Sequence, residues 1–165
     1  MSVYIYGITT VKYGDAASSN YMPSALTTLP NTVKGSVTLD ETEGTTTKFW
    51  VDQQYAPIRS VKTEEGELSA VMQFYDMSFE TLAALKGGTG DASGYTPATG
   101  YVTVEKSLEI TTDAGYKFLM YNAAIEARIV GGLSRDNMLA VEMKATPQLT
   151  ADNAGSWKIE KIETV

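Results

Sequence analysis

Carboxylates are the only reactive groups that this chain gathers at close spacing. Asp40, Glu41 and Glu43 form one group, and Glu64, Glu65 and Glu67 form a second. Paired carboxylates can hydrolyse glycosides or hold Ca²⁺. Each group abuts a glycine, Gly44 or Gly66, where a turn between strands is expected, and neither has the spacing of an EF-hand loop. The favoured reading is solvated charge that keeps strand edges soluble. The alternative is a negative surface put to functional use. Nothing else in the chain completes a reactive constellation. There is no His and no Cys, which removes the Ser–His–Asp and Cys–His arrangements, imidazole bases, disulfides and the usual zinc or iron–sulfur ligands. Gly88, Gly90 and Gly94 approximate a dinucleotide fingerprint, but the last glycine is one residue too far along and the group follows a helical pattern, so it reads as a flexible loop. The expectation is a protein that is not an enzyme and carries no cofactor and no metal.

Thirteen basic residues against twenty acidic ones give a net charge of −7 over 165 residues. Binding nucleic acid by its phosphates needs clustered Lys and Arg. Here the cations are scattered among acids, as in Glu105-Lys106 and Lys158-Ile159-Glu160-Lys161. Met1-Ser2-Val3-Tyr4 lacks the basic and then apolar pattern of a signal peptide, and no stretch approaches a membrane span. Synthesis without secretion and no membrane partner are therefore expected. The length suits a single domain, 1–165, that buries roughly two thirds of its unfolded surface.

The elements that hold these residues read mainly as strands. Thr occurs 21 times and Tyr 10 times, both types that fit a pleated, half-buried surface. Period-two alternation predicts strands at Val33–Leu39, with residues 33, 37 and 39 apolar, and at Glu67–Asp76, with Leu68, Ala70, Met72 and Phe74 on one face. It predicts further strands through Val102, Val104, Leu108 and Ile110, interrupted at Lys106 by a bulge or a snorkelling stem, and through Leu139, Val141, Met143 and Ala145. Along Lys117–Val130 the apolar positions switch from even (Phe118, Met120) to odd (Ile125, Ile129), which predicts two strand halves joined at a bend near Asn122. Val3–Thr10, Thr45–Asp52, Ile58–Thr63 and Trp157–Glu163 complete the strands. One helix is predicted over 78–86. Ser78 is its N-cap, Glu80 lies in the first turn, Met77 and Leu82 form a hydrophobic staple, and Gly87-Gly88 is the stop. Phe79, Leu82 and Leu85 should pack on the sheets while Lys86 stays wet. Irregular arms are expected at 14–32 and 87–100. Of adjacent aromatic pairs such as Phe49-Trp50 and Phe74-Tyr75, the inward ring should be core. Several strands carry apolar groups on both faces, which an oligomer needs and a lone sandwich does not.

The run from Glu65 to Gly88, an alternating strand entering Asp76-Met77-Ser78 and a short helix that stops at Gly-Gly, resembles the strand–helix unit of bacteriophage major tail tube proteins. Tyr121-Asn122-Ala123-Ala124-Ile125, Gly131-Gly132-Leu133-Ser134 and Val141 to Pro147 resemble that family's C-terminal strands, and Pro30 to Thr42 the opening strand of its inner hairpin. The resemblance covers about residues 30–150. It implies two packed antiparallel sheets of β-sandwich or barrel type with a short flanking helix. It further implies hexameric rings stacked into a hollow tube in the virion tail, assembled in the host cytoplasm alongside other tail proteins. DNA would pass through without specific binding, and long polar arms such as 14–32 would order only against the next ring. Six chains at −7 carry a formal −42 per ring, and an acidic lining repels phosphates and keeps a duplex centred. Some of Asp40, Glu41, Glu43, Glu64, Glu65 and Glu67 are then expected at the lumen or at the ring–ring junction. The alternatives are the inner tube of a contractile tail or injection machine, and a non-viral β-sandwich binding or adhesion subunit.

Overall fold

A computed structural model describes residues 2–163. In chain order the elements are β1 (Thr10–Asp15), β2 (Thr27–Thr28), β3 (Thr38–Glu41), β4 (Thr45–Phe49), β5 (Arg59–Glu64), β6 (Leu68–Phe74), α1 (Phe79–Lys86), β7 (Thr89–Asp91), β8 (Gly94–Thr96), β9 (Val104–Thr111), β10 (Tyr116–Gly131), β11 (Leu139–Pro147) and β12 (Trp157–Lys161). The fold is mainly β, antiparallel throughout its named pairings, with this single short helix. Eight strands form one sheet in the order β2-β1-β9-β10-β11-β6-β3, with β12 also on β10, while β4–β5 and β7–β8 are separate two-stranded ribbons.

The parity switch in the sequence is a bulge in β10. Leu108 of β9 faces Met120, yet Lys106 faces Ala123, so three residue steps of β10 oppose two of β9. One extra residue reverses which side chains point inward. That is how Met120 and then Ala123 and Ile125 all come to be buried. The interruption at Lys106 lies opposite the bulge, and its ammonium reaches Asp15 at 3.1 Å. At the same place β10 changes partners. Its first part, Tyr116–Met120, pairs with β12 and its later part, Ala123–Gly131, with β11. The Asn122 carbonyl accepts from Gln148 N at 2.7 Å, and Tyr121 N donates to the Ser156 carbonyl at 3.2 Å, which ties both ends of the 148–156 connection to the bulge. The sheet thus folds into two leaves, β2-β1-β9 with the first half of β10 and β12, and the second half of β10 with β11-β6-β3. Val11, Leu108, Ile110 and Met120 from the first leaf share one core with Ala70, Met72, Phe74 and Met143 from the second, and Leu85 of α1 joins them.

Several local expectations change. The first strand starts at Thr10, not Val3. Gly7 has φ +70, and a Cβ there would sit 2.1 Å from an Asp113 side-chain oxygen, so the chain bends there and Val3–Tyr6 lies beyond the ladder. Gly35 (φ +74) and a Ser36 turn back to the Val33 carbonyl split the predicted Val33–Leu39 strand into a bridge at Thr32↔Phe74 and the short β3. The arm at 14–32 is held against its own chain and needs no neighbouring copy to order it: Gly14 and Asp15 belong to β1, Thr27–Thr28 pair with it, and Ala17 N donates to the Tyr121 carbonyl at 2.8 Å. The 87–100 segment contains the β7–β8 ribbon, whose turn is fixed by Asp91 Oδ1 accepting from Ser93 N (2.8 Å) and Gly94 N (3.2 Å). The Ser93 hydroxyl, which donates to the same oxygen at 2.6 Å, and after it those two backbone N–H groups hold the Asp91 carboxyl below the ordinary carboxylate range.

The helix begins as the sequence dictates. The Ser78 hydroxyl accepts from Thr81 N at 3.2 Å, and Gly87 (φ 84) caps the other end. Leu82 and Leu85 are buried, but Phe79 is 45% exposed and does not pack as expected. At 3.6 residues per turn Phe79 lies about 120° around the helix from Leu85, at the edge of the buried stripe. By the same geometry Lys86 is only about 40° from Leu82. It is half-buried rather than wet, and its ammonium donates to the Ala127 carbonyl at 3.0 Å.

Candidate functional site

Residues 38–74 form one long hairpin in two stretches. The root is the β3–β6 ladder, in which Asp40 faces Ser69 and Glu41 faces Leu68. The outer stretch is the β4–β5 ribbon, in which Thr45 faces Glu64 and Phe49 faces Arg59. Between them the strands cross closely. Thr42 N donates to the Glu67 carbonyl at 3.0 Å and Glu67 N to Thr42 Oγ1 at 2.8 Å. A Cβ on Gly66 would lie 1.7 Å from the Thr42 carbonyl oxygen, and one on Gly44 2.4 Å from that of Glu64. Both glycines beside the acidic groups are therefore required by close backbone approach.

This register brings the two carboxylate groups of the sequence together at one neck. Asp40 and Glu41 lie on β3, Glu43 and Glu65 to Glu67 in the crossing, and Glu64 at the end of β5. All six acidic side chains are exposed. Glu64 accepts from Thr45 Oγ1 at 3.3 Å, and Glu65 is ion-paired with Lys62 in a solvent-screened contact. A general acid needs a carboxyl in an apolar pocket, and this neck does not provide one. What it provides is concentrated negative charge at the root of a projecting ribbon.

The ribbon is the second component. Every residue of β4 is exposed, as is all of β5 except the half-buried Val61. Both Phe49 and Trp50 are exposed, so neither ring of that pair is core, and Tyr55 and Ile58 are exposed beside them. The Phe74-Tyr75 pair does divide as expected, with Phe74 buried and Tyr75 outside. An isolated two-stranded ribbon is at best marginally stable in water.

The third component is an apolar cleft of about 530 Å³. The N-terminal segment (Ile5, Ile8), the chain before and into β3 (Val33, Val37, Leu39) and Phe118 of β10 line it. No local pattern in the chain signals this cleft, because its walls come from three distant segments. The meeting of the two acidic groups did have a signal: they lie at nearly equal distances from the turn near residue 54, as opposed positions of one hairpin must.

On the outer face of the second leaf, Arg128 Nε donates to Glu142 Oε1 at 2.6 Å and Gln73 Nε2 to Glu142 Oε2 at 3.0 Å. The Gln73 bond first, and Arg128 next, hold the Glu142 carboxyl below its usual range. Asp152, bonded by Thr150 and then Ser19, is lowered likewise, and Lys158 is raised by its bond to Glu160. The Glu142 bonds tie β6, β10 and β11 together, whereas the Thr150–Asp152 bond is local to one loop and the Lys158–Glu160 pair lies within β12. Among the described residues no group of three or more metal-type ligands converges, and no helix is long and apolar enough to cross a membrane. Comparison with protein-family models and with curated proteins returned no match.

Proposed function

We propose that this protein is a structural subunit of a bacteriophage tail tube: it performs no chemistry, closes with copies of itself into hexameric rings, and stacks these into a hollow cylinder for DNA delivery in the virion tail. The observation that carries the reading is the β4–β5 ribbon, two strands with nearly every side chain in water and with Phe49, Trp50, Tyr55 and Ile58 uncovered. Two free edges and exposed aromatic rings are costly in a lone molecule and are removed when copies supply the missing neighbours. A ring is a head-to-tail assembly, so it needs two different sticky surfaces on each subunit. The antiparallel architecture and the resemblance of residues 30–150 agree with that role. Other tail proteins would meet the ends of the tube, and DNA would cross it without a specific site. The acidic neck then faces the lumen or the junction between rings, where it repels phosphates.

Sedimentation velocity and cross-linking of the purified chain test the assembly: species at six subunits and its multiples are expected, and a monomer at every concentration would reject it. Converting Asp40, Glu41, Glu43, Glu64, Glu65 and Glu67 to Lys tests the conduit. Slowed genome exit or loss of stacking is expected, and unchanged infectivity with unchanged tubes would refute the role given to the neck.

A further inference from the structure

The arm at 14–32 lies on the face of the first leaf that points away from the core. Leu108 and Ile110 of β9 and Phe118 and Met120 of β10 turn toward the core, so by the period-two pleat Ser107, Glu109, Lys117 and Leu119 turn outward. Gly14 faces Ser107 in the β1–β9 ladder. A Cβ on Gly14 would lie 2.8 Å from both the Ala25 carbonyl oxygen and the Leu26 side chain, which puts the arm directly over this row. Beneath the cover Ser107, Glu109, Leu119 and Tyr121 are all buried, and Glu109 is the only buried ionisable acid or base among the described residues. Its Oε1 lies 3.6 Å from the Lys117 ammonium, longer than a hydrogen bond, and among the described residues neither of its oxygens accepts one. Ser107 Oγ, two residues along the same face, has no hydrogen-bond partner either. A buried carboxylate without donors is costly, and such a group in a folded chain calls for a reason.

Glu109 opens onto a cavity of about 490 Å³ between the arm and the leaf. Tyr21 and Met22 of the arm form one wall, and Leu119 and Tyr121 of the leaf form the floor. Lys158 and Glu160 of β12 complete the lining and are paired with each other at 2.9 Å, which leaves Glu109 as the charge available to a ligand. We propose that this cavity binds an organic ammonium: a small primary amine whose cationic head hydrogen-bonds to Glu109 and whose hydrocarbon body lies against Met22, Leu119 and the two tyrosines. The volume falls within the roughly 300–1,000 Å³ of small-molecule sites. An ammonium brings donors to a carboxylate that has none, and such charge-assisted bonds are the strong ones. Tyrosine faces attract cations, and the apolar side chains favour a carbon skeleton over a hydrated inorganic ion. Lys117 approaches Oε1 only and does not line the cavity, so Oε2 is open to the ligand. An anion finds no such opening, because Lys117 and Lys158 each already face a carboxylate. The site is built by one chain and is independent of the self-assembly reading.

Calorimetric titration of the purified chain with n-hexylammonium chloride, in excess sodium chloride, tests this, with 1-hexanol as the neutral twin of the same shape. Saturable binding of one amine per chain is expected, with the Leu119 methyl signals moving in the NMR spectrum, and hexanol should bind at least about tenfold more weakly. Glu109→Gln keeps the shape of the side chain, removes its charge and should weaken the amine at least about tenfold. Lys117→Met removes the competing ammonium, keeps an apolar stem and should tighten binding about threefold or more. Because the two variants move affinity in opposite directions, a loss of folding does not imitate the pair. Asp136→Asn, at an exposed carboxylate in the β10–β11 turn, should leave the affinity unchanged. No saturable binding to the wild type, hexanol that binds as tightly as the amine, or Glu109→Gln and Lys117→Met that both leave affinity unchanged overturns the proposal. Saturation with the Leu119 signals unmoved puts the amine elsewhere and overturns it as well.

Discussion

Truncating the helix residues one at a time gives a graded test of how α1 is seated. Leu85 is 0% exposed and part of the core shared by both leaves, Leu82 is 5% exposed and outside that shared cluster, and Phe79 is 45% exposed. Leu85→Ala loses about 2 kcal/mol of transfer free energy. The cavity left between packed Leu, Met and Phe side chains brings the total to about 3–4 kcal/mol. Leu82→Ala, with a rim that can collapse, should cost about 2–3 kcal/mol. Phe79→Ala gives up a half-wet ring and leaves no cavity, so about 1 kcal/mol or less is expected. For a chain of this size a loss of 1 kcal/mol lowers Tm by roughly 2–4 °C, so Leu85→Ala should melt about 6–16 °C early. Urea unfolding of all three variants at one low protein concentration, followed by circular dichroism, measures the series. A cost below about 1 kcal/mol for Leu85→Ala, or a Phe79→Ala cost equal to it, would refute the packing described.

Three further outcomes follow from particular contacts. Gly66→Ala drives a Cβ into the Thr42 carbonyl, so about 1–3 kcal/mol of destabilisation, read by thermal melting, is expected. Inserting one residue between Ala123 and Ala124 turns Ile125, Ala127 and the rest of that strand to the wrong face. Loss of the folded near-UV spectrum is expected, whereas an insertion at the exposed Tyr101 should be tolerated. Glu142 has its carboxyl lowered in the folded state, so the stability that it contributes is present above the ordinary Glu value of about 4.3 and is lost as pH falls through the lower folded value. Glu142→Gln should therefore shift the urea midpoint downward at pH 7 and much less at pH 3; an equal shift at both would contradict the assignment.

How much of this was legible depended on whether the determining contact was local. The Ser78 cap, the Gly87 stop, the alternation of β6 and the parity switch at Asn122 all arise from neighbours in the chain, and the structure has each of them. Val3–Thr10 reads as a strand, but the bend at Gly7 against Asp113, more than a hundred residues away, decides where the ladder begins. Ser36 likewise answers to Gln73 across the sheet, where its hydroxyl accepts from Gln73 N at 3.1 Å. Phe79 is apolar and correctly spaced, yet a stripe centred between Leu82 and Leu85 leaves it at the rim. Phe49-Trp50 reads as a strand pair with one buried ring only if the strand has a layer to lie on, and this ribbon has none among the described residues. The acidic residues were visible from the start; their convergence at one neck needed the register of the hairpin.

Negative-stain electron microscopy of the purified chain at high concentration and over a range of salt tests the central claim most directly. Rings with sixfold class averages, or hollow tubes built from them, are predicted. Monodisperse single subunits at every concentration and salt would contradict the account.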